Sequence, residues 1–391
     1  MNLFDLGIVV VVVLVAAGGY RLGFLARALS WLGLALGIVL AARFLPSAVA
    51  LFGAGNQPTT KLALAAALLL GGAFAGQGLG LVAGASLRRF VPHGPLRAVD
   101  SVIGAGVGVL GALIAVWLLI PSFAEVPGTI SSQARASVIA QAIDRTFPRP
   151  PDTLQALRRL VGEGAFPRVF DDLRPAPPTG PPPSTTGMAS STVARVAAST
   201  VKVTGAACQR VQDGSGFTAA ADTVVTNAHV VAGQRQGRTE VIRPDGRRLS
   251  ASVVVFDSNR DLAVLRVPGL GQQPLSISTG APGTRGAVFG HPGGQQRVRA
   301  APAAVRSRIQ AVGRDLYDSR LTRRDVFVLA SDLRPGDSGA PLVSQAGSVI
   351  GVAFAIAPDR SGTSYAVTDR ELRSALSASR TSPVGTGPCL R

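Results

Sequence analysis

The sequence predicts a multi-domain chain: an all-α bundle of four transmembrane helices followed by an all-β unit of barrel or sandwich type. Three observations predict it. Apolar residues crowd into the first 120 of 391 positions, in stretches near the length of a bilayer span. A proline-rich run, "RPAPPTGPPPSTTG" at 174–187, then interrupts all periodicity. Beyond it, short β-branched runs such as "DTVVTNAHVV", "SASVVVFD" and "SVIGVAFAI" recur between Gly, Pro, Asn and Asp, the pattern of strands joined by tight turns.

The apolar stretches 3–19, 25–44, 62–85 and 99–120 each approach the roughly 20 residues that a helix needs to cross a hydrocarbon core. Only Asp5 charges the first. No basic segment precedes that stretch and no A-x-A site ends it, so it reads as an anchor rather than a cleaved signal peptide. Arg21 and Arg27 mark the first connection, Arg43 and Lys61 the second, and Arg88, Arg89 and Arg97 the third. The positive-inside rule then puts the first and third connections inside and everything after residue 121 outside. A multi-pass protein of the inner (cell) membrane with an extracytoplasmic (periplasmic) second half is expected. Glycine-rich runs ("GLALG", "GGAFAGQGLG", "GAGVGVLGAL") suit close helix packing. Asp100, Gln77 and terminal arginines are the only polar groups on offer for a transport pathway, which argues against a transporter.

Residues 122–188 read as a tether outside the membrane. Two amphipathic stretches, "SSQARASVIAQAID" and "PDTLQALRRLVG", precede the proline-rich spacer, and a second folded unit spans 189–391.

The formal charge of +17 comes from 39 basic against 22 acidic residues, and only Lys61 and Lys202 are lysines. The arginines are scattered, without a basic run or interleaved aromatics, so no nucleic-acid partner is expected. A diffuse positive field suits the lipid bilayer and other anionic envelope surfaces. Cys208 and Cys389 allow one pairing, closing a loop of about 180 residues worth roughly 4–5 kcal/mol in the chain-entropy treatment. Two unrelated buried thiols are the alternative.

Candidates for a general base are few. His93 sits in a basic membrane loop, His291 in "FGHPGG", and His229 follows an apolar strand in "VVTNAHVV". Asp261 opens "DLAVLRV" 32 residues later, and Ser338 stands in "RPGDSGAPLV" 77 beyond that. A serine hydroxyl needs an imidazole to take its proton, and the imidazole needs a carboxylate to fix its tautomer and stabilise its cation. The order His, Asp, Ser separates this arrangement from hydrolases that run Ser, acid, His and from subtilisin-like ones that run Asp, His, Ser. Asp257 is the rival acid, in a "DSN" turn.

"TNAHVV", "DLAVL" and "GDSGAP" resemble the three motifs of chymotrypsin-like serine proteases, the first two being nearest to the bacterial HtrA-type branch. With the membrane half, the chain resembles the membrane-anchored periplasmic acid-resistance proteases of mycobacteria and related actinobacteria. The membrane half by itself resembles the colicin V production proteins. The resemblance implies a chymotrypsin-like double β-barrel clamped by Cys208–Cys389, with His229 as base, Asp261 as its partner, Ser338 as nucleophile, and the N–H groups of Gly336 and Ser338 as oxyanion hole. It implies no metal and no organic cofactor, and protein or peptide substrates of the cell envelope. Asp332, six residues before the nucleophile, would line the substrate-binding pocket and favour Arg or Lys, with Phe354 as a wall; the arginines at 145, 149, 158, 159 and 168 would then be sites of self-cleavage. Two departures from the pattern are Ala340, where the family has glycine, and Asp337, which has no recognisable new amino terminus to pair with. A catalytically silent binding module, or a membrane scaffold with an accessory outer domain, are the rival readings.

Overall fold

A computed structural model describes residues 2–52, 58–90, 94–125, 128–147, 175–208 and 210–390. The stretch at 151–162, His93, and Arg149, Arg158, Arg159 and Arg168 lie outside them. The chain forms two compact units, one helical and one mostly β.

Among the described residues of the helical unit, three helices are long and apolar enough to cross a membrane. They lie within α1 (Leu3–Phe52), α2 (Pro58–Arg88) and α3 (Pro95–Glu125). Helix α1 is not one rod. Gly23, at φ 81° and ψ 172°, leaves helical geometry. Arg27 donates from Nη2 to the carbonyl of Val15 at 2.9 Å, whereas a straight helix would set these residues about 18 Å apart. The chain therefore doubles back at Gly23, and the stretches expected at 3–19 and 25–44 are the two arms of a helical hairpin.

Asp100 of α3 fixes that turn. Its Oδ1 accepts from the N–H groups of Phe24 and Leu25, at 3.0 and 3.3 Å, capping the new helix start. Its Oδ2 accepts from Arg88 Nε at 2.9 Å. A Cβ at position 23 would lie 1.9 Å from that carboxylate oxygen, so glycine is required by space as well as by φ. Small residues also set the helix spacing: a Cβ on either Gly33 or Gly76 would meet the other's carbonyl oxygen at 2.1 Å. Two short helices follow, α4 (Thr129–Arg135) and α5 (Val138–Thr146). Asp5, the lone early charge, accepts from the hydroxyl of Ser137, the cap of α5, and from Ile139 N–H.

The β unit resolves the choice between sandwich and barrel. Strands β1 (Thr200–Ala207), β2 (Arg210–Ala220), β3 (Thr223–Thr226), β4 (Thr239–Ile242), β5 (Arg248–Asp257) and β6 (Leu262–Arg266) close in the order 1-2-3-6-5-4. Strands β7 (Arg285–Gly290), β8 (Arg299–Arg314), β9 (Leu321–Ala330), β10 (Pro341–Ser344), β11 (Val349–Ile356) and β12 (Thr363–Thr368) close in the order 10-11-12-9-8-7. Bulges at 253/255 in β5 and at 305/307 in β8 bend long strands around their barrels. Closure leaves no open sheet edge. A helical turn, α7 (Ala228–Val231), follows β3, while α6 (Ser190–Ala198) precedes β1 and α8 (Asp369–Ser377) follows β12.

The proline-rich spacer is docked rather than free where it is described. Ala176 N–H donates to Asp359, and the hydroxyls of Thr179 and Thr363 lie 2.7 Å apart, which ties residues 176–179 to the β11–β12 connection. Cys208 and Cys389 are joined, with Cα atoms 5.8 Å apart. The bond fastens the end of the β1–β2 hairpin to the tail, which also accepts Gly233 N–H at the carbonyl of Thr386.

Gly76→Val should force α1 and α2 apart, at roughly 1–3 kcal/mol for overpacking. The detergent-solubilised chain is expected to lose helical circular dichroism several degrees earlier on heating. Gly78→Val, at a position with nothing within 4 Å, should leave that temperature unchanged.

Candidate active site

His229 is carried on α7, directly after β3, and Asp261 begins the run into β6. Strands β3 and β6 are hydrogen-bonded neighbours, so the barrel brings the two motifs together although 32 residues separate them. Both carboxylate oxygens of Asp261 engage this one residue: Oδ2 lies 2.7 Å from His229 Nδ1, and Oδ1 accepts His229 N–H at 2.9 Å. The carboxylate places the ring proton on Nδ1, leaving a lone pair on Nε2. Asp261 is fully buried, with φ 58°, and Asn227 Nδ2 donates to its carbonyl at 2.7 Å. Asp257 is engaged elsewhere. One of its oxygens accepts from the N–H groups of Asn259 and Arg260, and the other pairs with the Arg260 guanidinium at 2.7 Å.

Ser338 lies on the loop entering β10, between Gly336 at φ 99° and Gly339 at φ 83°. A Cβ on Gly339 would sit 2.5 Å from Thr226 Oγ1 and 3.0 Å from Asn227 N, so the loop abuts the segment that leads into His229. In this conformation no hydrogen bond joins the Ser338 hydroxyl to the imidazole. Both Ser338 Oγ and His229 Nε2 keep solvent access, since neither is among the buried polar atoms lacking partners.

The loop around Ser338 has its amide planes fixed. Pro335 C=O accepts Gly293 N–H at 2.6 Å, and Asp337 C=O accepts Ala340 N–H at 3.0 Å. In a trans peptide the N–H points opposite to the C=O, so these bonds aim the N–H groups of Gly336 and Ser338 the other way. Among the described residues neither N–H donates to a protein acceptor. Ala340 serves here without strain, wholly buried in the core of the second barrel.

Asp337 caps its own turn, accepting Arg334 N–H at 2.9 Å. It is 3% exposed, and burial pushes its pKa up to about 6, against 3.8 for an exposed aspartate, despite that bond and the nearby Arg299 and Arg334. His291 is fully enclosed; burial pulls its pKa down, and its Nδ1 faces the carbonyl of Gln295 at 3.0 Å. No acid engages it among the described residues, which separates it from His229.

The two expected specificity residues sit differently from the reading above. The Asp332 carboxylate is 58% exposed and lies 3.5 Å from both Arg299 and Arg334, a surface charge cluster rather than an enclosed floor. Phe354 is wholly buried in the barrel core. Its strand lies between β10 and β12 and is covered along nearly its whole length, so its apolar side chain fills core and offers a ligand no surface. Ser215, read from sequence only as part of the strand run "GSGFTA", proves to touch the Ser338 loop directly: its N–H donates to Ser338 C=O at 2.8 Å. A serine set between glycines inside an apolar strand was the available signal.

Residues 214–352 match the trypsin-like peptidase domain family, and residues 4–148 match the colicin V production protein family. The serine protease Rv3671c of Mycobacterium tuberculosis is 34% identical over 99% of this chain and 98% of that protein. The putative serine protease HhoB of Synechocystis is 32% identical over 39% of this chain and 37% of its own length. The crystal structure of the Rv3671c protease in its active form superposes with a TM-score of 0.52 at 35% identity, over 59% of this chain and 99% of that one.

The buried Asp337 makes stability depend on pH. Folded, its carboxyl keeps its proton up to about pH 6, while the unfolded one releases it near 3.8. Its contribution is therefore fully present below 3.8 and is lost as pH rises through 6, by up to about 3 kcal/mol. Asp337→Asn, which keeps the acceptor, should melt at a higher temperature than the parent at pH 7.5 and at the same temperature at pH 4. Equal melting at both values would contradict the assignment.

Proposed function

This chain belongs to the family of trypsin-like serine proteases that includes Rv3671c, and from that premise we propose that His229, Asp261 and Ser338 are its catalytic triad. It is a membrane-associated serine protease. In the proposed reaction the Ser338 hydroxyl attacks a peptide carbonyl while His229 Nε2 takes its proton. Asp261 holds the imidazole in the competent tautomer and stabilises the cation as it forms. The N–H groups of Gly336 and Ser338 meet the oxyanion of the tetrahedral intermediate. The amine leaves with the proton from His229, and water releases the acyl group by the same steps in reverse. The observation that carries this reading is the double engagement of His229 by Asp261. Substrate binding has to close the gap between hydroxyl and imidazole, as is usual for sites that tighten only in the complex.

The geometry of the helical unit supports four crossings, because the hairpin at Gly23 makes two spans of α1. Arg21, Arg88, Arg89 and Arg97 gather around one cavity of about 190 Å³, a concentration of positive charge that favours the inside. The β unit then stands outside, where a disulfide persists, and its substrates are proteins of the cell envelope. A role in acid stress has one physical correlate in the site, the uptake of a proton by Asp337 near pH 6.

Asp332 contributes little charge to a pocket, being shared by two guanidinium groups at the surface. With Asp332 so placed, the tether arginines hold no special claim as sites of self-cleavage.

A fluorophosphonate should label the full chain at Ser338 and fail to label Ser338→Ala. Asp261→Asn should lower kcat by about 10³–10⁴-fold, while Asp257→Asn should leave it within about threefold. Labelling that persists in Ser338→Ala, or a loss in Asp257→Asn equal to that in Asp261→Asn, would refute the assignment. For specificity, Asp332→Ala is expected to change kcat/KM on substrates with Arg before the scissile bond by less than about tenfold; a larger loss would restore Asp332 to the pocket.

A further inference from the structure

The geometry points to Ser215 as a positioning residue that sets the oxyanion hole from the opposite barrel, an inference that rests on the triad reading above. Ser215 lies in β2 of the first barrel and is fully buried. All of its polar groups are engaged, and three of its four bonds reach across to loops of the second barrel. Its N–H donates to Ser338 C=O at 2.8 Å. Its hydroxyl donates to Gly336 C=O at 2.7 Å and accepts His291 N–H at 2.8 Å. Its own carbonyl accepts the Thr226 hydroxyl at 2.7 Å, two residues before the turn that bears His229.

These bonds fix the two loops from which the hole is built. The Gly336 carbonyl belongs to the peptide plane between the two oxyanion N–H groups, and the Ser215 hydroxyl pins it. The same hydroxyl pins the start of the 291–294 turn. That turn supplies Gly293 N–H to Pro335 C=O and so aims the Gly336 N–H on the far side of the same peptide. The fit is close: a Cβ on Gly336 would meet His291 O at 2.4 Å and Gly293 N at 2.9 Å. Lys202 of β1 closes the back of the turn, donating to Gly294 C=O at 2.6 Å. One hydroxyl thus joins three things: the barrel that carries the base, the loop that carries the nucleophile, and the turn that orients the hole.

Removing that hydroxyl leaves both N–H donors present but no longer aligned. Since an oxyanion donor is typically worth about 10²–10³ in kcat, misalignment should cost about 10–100-fold in kcat with KM within about threefold. The full chain in detergent is the sample. Ser215→Ala is compared with Thr239→Ala, which removes a buried hydroxyl bonded to Gln234 Oε1 at 2.6 Å in the same barrel. Three readouts are taken: kcat and KM on a peptide substrate, affinity for a peptide boronic acid that forms a tetrahedral adduct, and melting temperature. The expectation is that Ser215→Ala loses kcat and boronate affinity by similar factors, while Thr239→Ala loses only melting temperature. Ser215→Cys, nearly isosteric with a weaker donor, should fall between Ser215→Ala and the parent, and it is the variant to read if Ser215→Ala does not fold. Parent-like kcat in either Ser215 variant, or an equal loss of kcat in Thr239→Ala, overturns the inference. Ser338→Ala separates it from its premise: hydrolysis persisting there removes the triad itself, whereas hydrolysis lost there and kept in Ser215→Ala removes only the role of Ser215.

Discussion

One carboxylate, Asp261, orients one imidazole through both of its oxygens, and most of the β unit is arranged so that the carboxylate is closed to water while the ring's far edge is not. The residue sits at φ 58°, a left-handed conformation that costs a non-glycine residue about 1–2 kcal/mol. The surroundings offset it. Asn227 holds the Asp261 carbonyl, and Arg324 of β9 reaches across from the second barrel to the carbonyl of Asn259 while bonding, at 2.7 Å, to that of Arg314 in its own barrel. The Arg324 guanidinium is itself almost wholly enclosed. Burial pulls its pKa down while the charges of Asp261 and Asp315 hold it up. The guanidinium is thereby held between the two barrels by carbonyl oxygens and by the charge of nearby carboxylates.

What could be read from the sequence follows from how local each signal is. The His229, Asp261 and Ser338 motifs are legible because the chemistry needs those residue types, and few histidines compete. Asp257 could not be dismissed on spacing alone; its turn is legible in "DSN", but its pairing with Arg260 became visible only with the backbone placed. Phe354 was opaque for a different reason. The alternation that tells one strand face from the other vanishes in a run enclosed on both sides, so "GVAFAI" does not disclose which side chains meet the cleft. Asp332 shows the limit of counting residues back from a nucleophile, since the fold brings Arg299 from β8 to it while its near neighbour Arg334 shares the same carboxylate.

The membrane half gives the same lesson in an apolar setting. Asp100 reads from sequence as a stray polar group, too isolated to make a pathway. In the fold it caps a helix start and pairs with Arg88, and it does so where Gly23 lets the chain reverse. Its charge thus has a structural use, which removes the usual reason to assign an intramembrane acid a part in conduction.

The covalent link between Cys208 and Cys389 closes around almost the whole β unit, 181 residues of it. Its two halves come from the turn between β1 and β2 and from the tail, so the thiols meet only once the tail has packed back beside Gly233. Oxidation there records the docked tail, and a chain whose tail is loose carries two free sulfhydryls that a thiol-reactive tag would report.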